Sequence, residues 1–267
     1  MRDDFFRDWF PSGDDAARDP VKAAREAMRS PLPKRFYERA SAEERDGAFV
    51  LTLDGRAART PGRRPLAVPT RDLGEALAAE WQAQAAEIDP TTMPMTRIVN
   101  STIDGVASDP APVVDDVVKY ADSDLVCYRA GEPDRLVADQ SAAWDPVLDW
   151  ARDALGARFV QSQGVTYVGQ GGAAVAAIRA AVEDSAARSP FALAALHVMT
   201  TLTGSVLIAL AHAAGRLTAE EAWAAAHVDE RFQERVWGED EQAVARRAAR
   251  KAEFLAASRL YALAAAC

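Results

Sequence analysis

The chain has 267 residues, with 40 acidic against 31 basic side chains and a formal net charge of −9, enough for one large domain or two modest ones. A composition of 49% apolar and 27% charged residues is that of an ordinary soluble protein and excludes wholesale disorder. The acid surplus argues against sequence-blind nucleic-acid binding and against attraction to an anionic membrane surface, since both need an excess of Lys and Arg.

Residues 1–33 read as an arm. Phe5, Phe6, Trp9 and Phe10 form an apolar cluster, expected to dock on the protein's own body. A short helix over 21–28 is stopped by Pro31 and Pro33. The arm lacks the basic start and continuous apolar core of a signal peptide, and its acids argue against a transit peptide. Two cysteines far apart, Cys127 and Cys267, make neither a disulfide framework nor a zinc spacing and fit a reducing compartment. The chain reads as cytosolic and of bacterial type.

Residues 34–106 read as a small α+β domain. Phe49, Leu51 and Leu53 alternate with Val50, Thr52 and Asp54, the period of a half-buried strand. Asp54-Gly55 is a favoured two-residue hairpin turn. The chain returns over 56–60, turns at Pro61-Gly62 and makes a further strand over 65–68; residues 34–40 are expected to supply another. Ser41 and Glu44 have capping-box spacing for a very short helix. Residues 70–86 are helical, with Leu73, Leu77, Ala78, Trp81 and Ala85 on one stripe. A second helix over 93–103 carries Met93, Met95, Ile98, Val99 and Ile103 toward Gly105.

Residues 107–267 read as an all-helical bundle with a small irregular element. Alanine makes up roughly a fifth of the chain, which favours helix throughout. Helices are expected from Pro110 to Tyr120, over 142–155 and over 173–187, with an extended stretch at 165–168. Residues 191–214 carry no charge, long enough to span a membrane. Their histidines and hydroxyl side chains and the single Arg on either side favour a buried central helix, with no membrane insertion. Thr218 and Glu221 make a capping box for a helix containing Trp223. The last helix covers 241–264, with Ala245, Ala248, Ala252, Leu255 and Leu263 as its stripe.

The chemistry-bearing residues form no recognisable site. His197, His212 and His227 lack metal-ligand spacing and read as core or surface histidines. Gly169 to Gly172 precede a helix, so the turn could cradle a phosphate, but both the dinucleotide and the P-loop spacings fail. Cys127 lies in an apolar run and reads as a buried thiol. The acid pairs Asp115-Asp116, Glu220-Glu221, Asp229-Glu230 and the run Glu239 to Glu241 stand at expected helix starts, where acids suit the dipole. They read as solvated capping acids. A binding or assembly protein, with no cofactor and no metal, follows by elimination.

Six segments, in order, carry a resemblance: Lys34-Arg-Phe-Tyr37; Leu53-Asp-Gly-Arg56 with Arg59-Thr-Pro61; Ala79-Glu-Trp81-Gln82; Ile88-Asp-Pro90; Met93-Pro-Met95-Thr-Arg97 with Asn100 and Asp104; and Asp229-Glu230-Arg-Phe-Gln233 with Trp237-Gly238-Glu239-Asp240. From about residue 34 to 260 the chain resembles the assembly chaperones for the α subunit of the soluble sector of F-type ATP synthase. The resemblance implies a small α+β domain followed by a helical one, no cofactor and no catalysed reaction. It implies a partner, the unassembled α subunit, whose β-facing surface is shielded until assembly. Bacterial members act in the cytoplasm and eukaryotic ones in the mitochondrial matrix. It also points to Asp229 or Glu230 as the functional acid, with Gln233, Trp237 and Glu239 beside it, although Arg231 stands where relatives often carry another acid. Trp237 is then either a partner contact or a core anchor orienting the last helix; Trp81 is expected to pack in the core. The competing reading is an enzyme acting on a nucleotide-like ligand at Gly169 to Gly172.

Overall fold

The computed structural model describes residues 32–164 and 166–264. The aromatic cluster near residues 5–10, the helix expected over 21–28 and Cys267 lie outside the described residues. The fold class holds: a small antiparallel sheet with helices, followed by a largely helical remainder.

β1 (Ala40–Arg45) and β2 (Ala48–Leu53) pair antiparallel, from Ala40 opposite Leu53 to Arg45 opposite Ala48. β3 (Arg56–Ala57) and β4 (Ala67–Val68) both pair with β2. Two Asp-Gly steps make the tight turns: Asp46-Gly47 at φ 52° and 79°, Asp54-Gly55 at φ 49° and 76°. Positive φ at both central residues matches the twist of the flanking strands. The sequence pattern finds the second turn and misses the first.

Three expectations for this region are corrected. β2, paired along both edges, is buried on both faces, Val50 and Thr52 as well as Leu51 and Leu53. Thr52 is tolerated there because its hydroxyl lies 3.0 Å from Ser41 Oγ and donates to the Glu43 carboxylate at 2.9 Å. Ser41 to Glu44 is therefore strand and caps no helix. Residues 34–39 form no strand either. They are held to a loop instead: Arg35 N donates to Ala86 O at 2.9 Å and Ile88 N to Pro33 O at 2.8 Å.

α1 (Arg71–Gln82) starts at Thr70, whose hydroxyl accepts from Leu73 N, and buries Leu73 and Leu77. It stops short of Ala85, which lies exposed in the loop that follows. α2 (Pro94–Ser101) runs on into a π-helical turn, Thr102–Val106. The start of α2 has no cap of its own. Glu80 supplies one from α1: its carboxylate accepts from Met95 N at 2.9 Å, Thr96 N at 2.8 Å and Thr96 Oγ1 at 2.7 Å. Truncating this side chain strands two backbone donors at a helix start. Glu80→Ala is expected to cost about 2 kcal/mol in chemical denaturation; an unchanged midpoint would show that water replaces the carboxylate.

The remainder comprises α3 (Ala111–Lys119), β5 (Tyr128–Arg129), α4 (Asp134–Leu155), β6 (Ser162–Gln163), α5 (Gly172–Arg188), α6 (Pro190–Thr203), α7 (Val206–Ala213), α8 (Ala219–Ala226), α9 (Val228–Trp237) and α10 (Glu241–Ala264). α4 begins at Asp134, well before residue 142. β6 pairs parallel with β5 and takes the place of the extended stretch expected at 165–168. The charge-free stretch 191–214 is two helices, not one. Gly204, at φ 68°, ends α6, and Ser205 caps α7 by accepting from Ile208 N at 3.0 Å. Both helices are buried, and among the described residues no helix is long and apolar enough to cross a membrane. α6 is the hub, packed against α3, α5, α7 and α10.

Beneath this break lies Asp124, fully buried. Its carboxylate accepts from Val126 N at 3.2 Å and from Leu207 N at 3.1 Å. It therefore ties the 125–127 turn to the start of α7.

α10 corrects its expected stripe. Ala245, Ala248 and Ala252 are exposed, while Phe254, Ala257, Leu260, Tyr261 and Ala264 are buried. An alanine stripe carries too little apolar area to decide which face turns inward. The second half of α10 packs on α6, α1 and α2. Arg97 of α2 pairs with Glu253, and Thr70 Oγ1 donates to Leu263 O at 3.3 Å. One apolar core thus runs from the sheet through the helices.

Candidate functional site

The segments behind the resemblance divide by what their side chains do. In those before residue 106, Glu80, Gln82, Asp104 and Trp81 hold the fold. Glu80 caps α2. Gln82 bridges to the strand start, accepting from Ala40 N at 2.8 Å and donating to Glu38 O at 3.1 Å. Asp104 clamps the β3–β4 connection, accepting from Thr60 Oγ1 at 2.6 Å and Gly62 N at 2.8 Å. Trp81 is half-buried against the core, its ring 5.7 Å from that of Tyr37.

The last segment is different. Asp229, Glu230, Gln233 and Trp237 all lie on α9. Spacings of three, four and seven residues put them on adjoining positions of one face. That face leaves the protein body as it runs. At its start Asp229 is half-buried and accepts from Gln140 Nε2 at 2.7 Å. Gln140 is itself buried and accepts from Ala130 N at 2.8 Å through its carbonyl oxygen. Asp229 is thus the outer end of a relay tying α9 to α4 and to the chain after β5. Glu230 and Gln233 are exposed. At the end Trp237 is 85% exposed, with Val236 beside it at 53%. This overturns Trp237 as a core anchor.

Other groups orient the helix. Arg235 pairs with Asp139 of α4, and Glu234 with Arg247 of α10. At its root, buried His227 lies against Trp223, ring centroids 3.9 Å apart, with Nδ1 2.9 Å from Trp223 O. Burial holds its imidazole below the ordinary value. Gly238 closes α9 at φ 89°, ψ 170°, a conformation open essentially to glycine alone. Glu239 follows on the exposed link to α10, and Asp240 caps α10 by accepting from Ala243 N at 2.8 Å. The structure therefore gathers all five expected residues around α9 and its C-terminal turn. Val236 was not among them. Two large apolar residues in succession before a glycine, on an otherwise polar helix, are the signal that could have found it.

The remaining candidates have structural roles. Both nitrogens of His212 are engaged, by Leu217 O and Ser258 Oγ at 2.8 Å each. Among the described residues no group of His, Cys, Asp and Glu could hold a metal ion. Cys127 is buried, and burial with nearby Asp124 pushes its thiol up to about 12. Asp115 and Asp116 lie mid-α3 rather than at its start, paired with Arg179 and Lys119. At the glycine turn, an acid already faces the start of α5. The Asp122 carboxylate accepts from Tyr167 Oη at 2.7 Å and lies 3.5 Å from Gln170 N. A phosphate placed there would meet that carboxylate.

Likeness to known proteins bears on this geometry. The sequence profile of the family described as ATP12 chaperone protein matches residues 34–152. A solved structure from Agrobacterium tumefaciens, described as a candidate chaperone, is 46% identical, covers 93% of this chain and 92% of its own, and superposes with a TM-score of 0.84. That of Atp12 from Paracoccus denitrificans is 39% identical, covers 87% of this chain and 98% of its own, and superposes with a TM-score of 0.79. Mitochondrial protein atp12 of Schizosaccharomyces pombe is 22% identical over 234 residues, 80% of this chain and 78% of its own.

Proposed function

The chain belongs to the ATP12 chaperone family, and from that premise we propose that it binds the unassembled α subunit of the F-type ATP synthase and shields the subunit's β-facing surface until assembly. The observation that carries this reading is the outer end of α9, where Trp237 and Val236 stand in solvent. A solvent-facing tryptophan is unusual unless something covers it, and Trp is enriched among the residues that dominate binding. Glu230, Gln233 and Glu239 surround it with a polar rim. Such an interface binds through a few anchors and can yield to a competing subunit. The work is non-catalytic and takes place in the bacterial cytoplasm.

The test is co-purification of the tagged chain with the α subunit of its own ATP synthase and, separately, with β. Soluble α recovered on the tag, without β, supports the reading; no capture of α removes it. The two acids separate in the same assay. Glu230→Lys is expected to leave the melting temperature in place and reduce capture, because its side chain is exposed. Asp229→Lys is expected to lower the melting temperature as well, because it breaks the link to Gln140. Full capture by Glu230→Lys would move the functional acid elsewhere.

A further inference from the structure

A second surface stands out beside the sheet, at β3 and the segment that follows it. β3 and its connection to β4 carry Arg56, Arg59, Arg63 and Arg64, with no acid between Gly55 and Arg71. All four are exposed, and none forms an ion pair among the described residues. Among the other described arginines nine form ion pairs and nine do not, so the missing partners alone do not mark this segment. What marks it is the density of four guanidinium groups in nine positions with no acid among them, a local inversion of the molecule's charge.

The hairpin holds them in a fixed shape. Gly62 lies so close to Asp104 that a Cβ there would come within 2.6 Å of the carboxylate. Arg63 has φ 64°, the left-handed region, without being glycine. Such conformations persist only where the surroundings impose them. Arg59 Nη1 donates to Arg63 O at 2.8 Å and Arg64 Nη1 to Ile103 O at 2.7 Å. Each of these spends one of five guanidinium donors, and Arg56 and Arg63 spend none in the described hydrogen bonds. The Asp104 carboxylate beside the hairpin is occupied with Gly62 N and Thr60, and that of Asp54 with Glu38 N and Arg39 N.

We propose that this hairpin is a second contact for the client, taking a carboxylate-bearing surface segment of the bound protein; the proposal rests on the client reading above. Guanidinium forks match carboxylates bidentately. A nucleic acid or an anionic membrane extends its charge well beyond one hairpin and would meet the field of a chain carrying −9 overall. A short acidic segment stays within about one screening length, ~10 Å, of the tip.

The test uses the full tagged chain co-expressed with the α subunit, comparing wild type, Arg56→Glu/Arg63→Glu and Arg56→Lys/Arg63→Lys. Neither side chain makes a described hydrogen bond, so melting temperatures should agree. Capture at about 0.1 M salt is expected to fall roughly tenfold or more in the glutamate variant, with weaker salt dependence than wild type. The lysine variant should retain most of the capture. Equal capture and equal salt response in wild type and glutamate variant would overturn the proposal while leaving the client reading intact. No capture by wild type would overturn both. Binding of wild type to phosphatidylserine–phosphatidylcholine vesicles, lost in the glutamate variant, would reassign the hairpin to a membrane and overturn the proposal as well.

Discussion

Replacing Trp237 with alanine is expected to weaken capture of the α subunit by roughly 30-fold or more, about 2 kcal/mol, the scale of a buried aromatic anchor. The same substitution should leave stability within about 0.5 kcal/mol of wild type, because an indole that is 85% exposed loses little packing when removed. The two readouts together are what make the experiment decisive. A tryptophan that served the fold would move the melting temperature and capture in parallel. A tryptophan that serves a partner moves capture alone. Val236→Ala, removing a smaller side chain that is half exposed, should act in the same direction and by less. Undiminished capture by Trp237→Ala would show that the client meets another face.

The second large effect concerns acid. Burial pushes the Asp124 carboxyl up to about 6 from an ordinary 3.8, against the lowering effect of the Ser205 hydroxyl and the N–H groups of Leu207 and Val126. Between those two values the folded chain keeps a proton that the unfolded chain has released. Its contribution to stability is therefore greatest at low pH, falls as pH rises from about 4 to about 6, and is flat above. The full change is about 3 kcal/mol. Asp124→Asn removes the titration while keeping a side-chain acceptor. Urea titrations of both proteins should show the variant gaining on wild type by about 3 kcal/mol between pH 4 and pH 7, other carboxyl groups cancelling in the difference. A constant difference would mean that the N–H donors fully offset the loss of water around the carboxylate.

Local chemistry was legible in the sequence wherever a residue acts on its immediate neighbours. The Asp54-Gly55 turn and the Thr218–Glu221 capping box are such cases, since backbone sterics and short-range hydrogen bonds decide them. What depends on distant packing was not. Whether β2 buries one face or two is set by what lies beyond each face. The inward side of α10 is set by α6, not by the spacing of its alanines. Gly204 breaks the charge-free stretch in the αL conformation, where Leu125 N from a distant segment donates to its carbonyl at 3.2 Å. The site was legible only through resemblance: Val236 and Trp237 before Gly238 mark an apolar end on a polar helix, but not whether that end faces the core or the solvent. The hairpin arginines were missed for the converse reason, since a charge run becomes informative only when its exposure can be seen.

The junction of α10 with α1 and α2 also governs the order of events at the ribosome. Chains fold as they emerge, earlier residues first. Here Arg97 waits for Glu253, and Thr70 for Leu263, so the flank of α1 and α2 that α10 covers stays open until more than a hundred and fifty later residues have been translated. A member of a chaperone family thus passes through a nascent stage in which its own flank is open.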